Sequence, residues 1–212
     1  MTKTEILDDL DYVKTLAEEG KNAPLLGGRL GIWWGVLLLI TLFIHYLALK
    51  ETGPIPIEMI GAAWMAFGVI GGIGTIIFRR GIDKKPGASS VNNRVANALW
   101  TGNTFLLFTY AISAGFSAGL GRFDFLGSNN FFIMDTMTPI AFGLYGLTSY
   151  VLAKISGDKW QLIPGAISLA FVPISLFLLG TPELYLAAMA AIVCTIIIPG
   201  VITLRNEPKA VV

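Results

Sequence analysis

The chain has 212 residues, 54% of them apolar and only 14% charged, with 24 glycines and a formal net charge of +1. That balance lies outside the soluble globular range and reads as an all-α integral membrane protein; a net charge so near zero gives no reason to expect nucleic acid. A single cysteine, Cys194, excludes a disulfide within the chain and a Cys-rich metal site, and a single histidine, His45, excludes bis-histidine haem ligation, so neither cofactor nor metal is expected.

Residues 1–21 read as a short amphipathic helix. Thr2 and Glu5 fit a capping box, Gly20 is a natural stop, and Ile6, Leu10, Val13 and Ala17 recur on one stripe, with Asp8, Asp11, Glu18 and Glu19 away from it. The segment holds three lysines and six acids. An anionic leaflet therefore repels it, unlike the Lys-rich helices that lie on membranes, and a protein surface suits it better. The Ile6, Leu10, Val13, Ala17 stripe is a candidate partner-binding surface, either for a groove with a basic rim on another protein or for this chain's own basic loop at residues 79–94. These first residues lack the basic and apolar regions of a cleavable signal peptide. Residues 22–30 form a linker with Pro24, Gly27 and Gly28, short enough that whatever binds lies close to the membrane.

Residues 31–204 contain six apolar stretches, at 31–49, 58–78, 95–119, 131–153, 160–179 and 183–204. Each has the roughly 20 residues a helix needs to cross a ~30 Å hydrocarbon core, and only helices satisfy their own backbone in lipid. The expected architecture is six transmembrane helices in three hairpins, preceded by the amphipathic helix and followed by a tail at 205–212. Thirteen Lys and Arg residues fall on one side of this arrangement and only Lys50 and Arg122 on the other. The bias predicts a multi-pass protein of the cytoplasmic (inner) membrane with both termini in the cytoplasm. Trp33, Trp34, Trp100 and Trp160 near the predicted cytoplasmic ends fit an interfacial aromatic belt.

Helices associate in lipid through small residues, so Gly68 with Gly72 and Gly115 with Gly119 are read as helix-packing pairs; a homo-oligomer stands separately among the expected partners. The resemblance of residues 66–79 to 141–154 suggests repeated hairpins, a style found in transporters. Asn97, Thr101, Asn103 and Thr104 are expected to bond a neighbouring helix rather than a solute.

Candidate chemistry is sparse. His45 and Glu58 flank the first turn and form a candidate pH-sensing or ion site, while Glu58, Asp135 and Glu183 recur at the starts of even-numbered spans, where ion pathways and helix-dipole caps compete as explanations. "GFSAG" around Ser117 has the G-x-S-x-G pattern, but a nucleophile elbow needs a strand, a sharp turn and a helix, so only an intramembrane Ser117–His45 dyad keeps an enzyme in view, and no catalytic residue is assigned. The leading expectation is a non-enzymatic anchor, sensor or accessory subunit that presents its N-terminal helix to a cytoplasmic protein while its spans contact membrane lipid. A small solute or ion transporter is the alternative.

Overall fold

A computed structural model describes residues 23–50, 53–122 and 132–208 of the chain, so the 1–21 helix with Ile6, Leu10, Val13 and Ala17 lies outside the described residues. Among the described residues the structure is helical, without a strand. The helices are α1 (Gly28–Leu49), α2 (Met59–Ile82), α3 (Val91–Gly119), α4 (Phe132–Asp135), α5 (Met137–Ser156), α6 (Leu162–Phe177), α7 (Glu183–Ile192) and α8 (Ile198–Asn206). A 3₁₀ turn at Lys159–Gln161 leads into α6, and a π-helical turn at Val193–Ile197 joins α7 to α8.

Each predicted apolar stretch corresponds to a helix, with ends displaced by a few residues. Among the described residues, four helices are long and apolar enough to cross a membrane: α1, α2, the rod Lys159–Phe177 and the rod Glu183–Asn206. The expectation of six spans in three hairpins is not confirmed. Helices α3 and α5 reach 29 and 20 residues, yet α3 carries Asn92, Asn93, Arg94, Asn97 and Asn103 and falls short in apolar character.

Helix α1 packs on α2, α7 and α8, and α5 packs on α6 and α3. The main core joins Leu42 of α1, Phe142 of α5, Phe171 of α6 and Leu184, Tyr185, Ala188 and Ile192 of α7. Two glycine crossings bring backbones together. A Cβ on Gly28 would collide with the backbone of Leu204 and Gly200, and one on Gly146 would stand 3.2 Å from the Gly165 carbonyl oxygen.

The expected packing glycines fare differently. A Cβ on Gly68 would stand 3.1 Å from the Phe108 ring of α3, whereas Gly72, Gly115 and Gly119 have no described neighbour within 4 Å of that position. On α2 the close approaches are instead at Gly71 and Gly74, which receive the rings of Trp34 and Trp33. Spacing alone says which glycines share a helix face, and the partner helix decides which face is used. The two tryptophans are thus engaged between helices: Trp34 Nε1 donates to Thr75 Oγ1 at 3.0 Å, and Trp33 meets Phe78 edge to face. Asn103 is buried and donates to Thr148 Oγ1 at 2.8 Å, the expected bond to a neighbouring helix. Thr104 is exposed and bonds only its own helix, at the Trp100 carbonyl.

The π turn has a local cause. Pro199 lacks an N–H, so a regular α-helix would lose one bond there and press the proline ring on the carbonyl four residues back. Widening the turn answers this, with the Ile198 N–H reaching the Val193 carbonyl.

Candidate functional site

Polar side chains gather in two places, one where α1 begins and one where it ends. At its start, the sequence builds a clamp on the segment before α1. Ser90 caps α3 by accepting from the Asn93 amide, which sets Asn93 in the first turn facing the incoming chain. The Asn93 side chain accepts from the Leu26 amide at 2.8 Å and donates to the Pro24 and Gly87 carbonyls, each at 2.9 Å. Leu25, between the two bonded residues, is buried with Ala96 and Leu152.

The same segment is held from the other terminus. Gly27 has φ +106, a left-handed conformation that glycine adopts without strain, and it turns its own amide and that of Gly28 toward one point. Glu207, just beyond α8, accepts both amides through Oε1, at 2.8 and 2.7 Å. Its Oε2 takes the Lys85 ammonium, and both side chains are withdrawn from solvent. The carboxylate thus occupies the positive end of α1, where unpaired N–H groups and the helix dipole favour an anion. Residues 180 and 122 positions apart in sequence are joined by one side chain.

Where α1 ends, the polar groups are interleaved with aromatics. His45 is 3% exposed; its Nδ1 accepts from Trp64 Nε1 at 3.1 Å, and its ring lies 4.0 Å from that of Tyr185. The Tyr185 hydroxyl donates to Asp135 Oδ1, and the Gly180 amide donates to Oδ2 at 3.1 Å. Asp135 is 4% exposed and sits at the end of the one-turn α4, just before Thr136, to which Tyr110 is hydrogen-bonded. At the rim the Lys50 ammonium stands 4.9 Å from the Tyr46 ring centroid, and the Tyr46 side chain, helped by Glu183, holds its pKa above the usual lysine value.

The three recurring acids therefore separate. Asp135 is buried and bonded, while Glu58 and Glu183 are exposed at the heads of α2 and α7. His45, paired with Glu58 in the sequence reading, is buried against Trp64 and Tyr185. Ser117 lies half-buried in the last turns of α3. The residues that complete these clusters, Trp64, Tyr185 and Gly180 at one end and Lys85, Asn93 and Glu207 at the other, are ones the sequence reading passed over. A faint signal existed for two of them: Glu207 is an acid in an otherwise basic tail, and Asn93 follows a serine cap by three residues. Comparison with family models, curated proteins and solved structures finds no match to this chain.

Proposed function

We propose that this protein is a six-span, non-enzymatic anchor or accessory subunit of the cytoplasmic membrane that presents residues 1–21 to a cytosolic protein partner. The observation that supports this most is the clamp on residues 24–28. Asn93 and Glu207 fix the point from which the N-terminal segment departs, so a bound partner is held at a defined place rather than on a loose tether. Fixing the stem in advance lowers the ordering cost of binding. The bias of basic residues toward the end bearing Arg29, the 79–94 loop and Arg205 supports a cytoplasmic placement of both termini. A six-span arrangement draws on the lengths of α3 and α5, with Asn103 and Thr148 satisfying each other.

The test is to capture proteins from solubilised membranes with the full chain, with a chain lacking residues 2–21, and with an Ile6→Asp, Leu10→Asp, Val13→Asp chain. A protein recovered with the first and lost from the other two, all equally folded, is the expected result. The same proteins recovered with all three would remove the docking role.

A second reading, a small solute or ion transporter, is favoured by the buried Asp135–Tyr185–His45 cluster, since buried ionisable groups between membrane helices often mark solute or proton paths. It predicts flux into liposomes that Asp135→Asn abolishes, and no flux above empty vesicles for a broad ion and metabolite panel would end it.

A further inference from the structure

The end of the bundle that bears the clamp carries positive charge that its own acids leave uncompensated. Arg29, Arg79, Arg80, Lys84, Arg94 and Arg205 are exposed, and the 79–94 loop has one exposed carboxylate, Asp83. Glu207 adds no compensation at the surface, because it is turned inward to Lys85 and the α1 amides. Asp83, Lys85, Gly87, Ala88 and Ser89 line an open depression in this loop. Val91, the first residue of α3, is 66% exposed and offers an apolar contact at its edge.

The depression is also where the N-terminal segment arrives. Ala23 lies against Gly87, and the Asn93 side chain holds both Pro24 and Gly87. The preceding residues, 1–21, carry six acids against three lysines, with Ile6, Leu10, Val13 and Ala17 among them. A segment tethered this closely meets the loop at an effective concentration on the order of millimolar. Opposite charge on both sides of so short a tether favours contact over solvation, within a screening length of about 8 Å at physiological salt.

We propose that residues 2–21 dock on the chain's own basic loop at 79–94, and that a cytosolic partner must displace them from it. This rests on the reading of that segment as a docking element, and adds regulation to it. The loop offers the same chemistry as the partner, a basic rim beside a small apolar surface. Binding is therefore a competition between an intramolecular and an intermolecular groove, and the intramolecular contact sets the partner concentration required.

The experiment places spin labels at Thr15→Cys and Ser89→Cys in the full chain, with Cys194→Ser as background, in nanodiscs of neutral phosphatidylcholine at low salt. The expected result is a single narrow, short distance. Arg79, Arg80 and Lys84→Glu should broaden and lengthen it, as should Asp8, Asp9 and Asp11→Lys. Combining both reversals should restore it, which a merely damaged fold would not do. A broad distribution in the parent, a narrow one that survives either reversal, or one that narrows only when phosphatidylglycerol is added would each overturn self-docking, the last in favour of a membrane-bound segment. Partner capture distinguishes the two readings: a captured partner without the short distance sinks only self-docking, and the short distance without any partner sinks only the presentation of the segment to one.

Discussion

The two ends of α1 use hydrogen-bonding groups to opposite purposes. At its start, Asn93 and Glu207 bond mostly to backbone, and what they hold is chain: the stem at 24–28, the loop at Gly87 and the tail beyond α8. At its far end, Asp135, Tyr185, His45 and Trp64 bond mostly to one another, and what they hold is helices, since these residues come from α4, α7, α1 and α2. The first network determines where segments leave the bundle. The second determines how the bundle closes on itself. The proposed display of the N-terminal segment would need the first kind at one end only.

Substitutions at six positions test this contrast, from the largest expected effect downward. Gly28→Val should be the most damaging, because its side chain would meet the α8 backbone at Leu204 and Gly200, which cannot move aside as a side chain can. A loss of about 3 kcal/mol or more is expected from overpacking against main chain, read as unfolding in mild detergent. Asp135→Ala comes next. It leaves the buried Tyr185 hydroxyl without its acceptor and the more exposed Gly180 amide to solvent, at a cost of about 2–3 kcal/mol, with Asp135→Asn costing less.

Glu207→Ala should cost about 1.5–2 kcal/mol, since the Lys85 ammonium, 14% exposed, recovers part of its bonding from water. Its signature should be local: faster amide hydrogen exchange at Gly27 and Gly28, with the Tyr185 region unchanged, and the reverse for Asp135→Ala. Combined, the two should add to within about 0.5 kcal/mol if the networks are independent. A strong coupling between them would erase the distinction drawn above. Smallest of all, Gly72→Ala, Gly115→Ala and Gly119→Ala should each stay within about 0.5 kcal/mol of the parent, as no described neighbour waits for the added carbon. A large loss in any of the three would reveal a contact with another molecule, such as a second copy.

The helices were legible in the sequence because length and apolarity are local properties. Their ends were less so: α1 begins at Gly28 rather than 31 because Glu207, far away in sequence, accepts its first amides. The site was legible only in its ionisable members. His45 stood out as the sole histidine and Asp135 as an acid inside an apolar stretch, but nothing local joins Asp135 to Tyr185 fifty positions on, or separates it from Glu58 and Glu183, which share its spacing and remain exposed. Of the GxxxG glycines only Gly68 has a described neighbour close by, for the same reason. The pattern is intrinsic to one helix, whereas Gly71 and Gly74 acquire their role from Trp34 and Trp33 of another.

The π turn at Val193–Ile197 acts as a phase adjuster. Each residue of an α-helix advances the side-chain direction by about 100°, and a π turn accommodates one extra residue without lengthening the rod by a full step. A single continuous rod can thereby aim Tyr185, Ala188 and Ile192 into the core from one half and bring Gly200 onto α1 from the other. Straightening this turn into regular helix with every residue kept would swing α8 through roughly that angle, carrying Gly200 off Gly28 and Glu207 away from the amides it caps. The angular setting of one turn in the rod thus governs whether the chain's two distant termini are tied together.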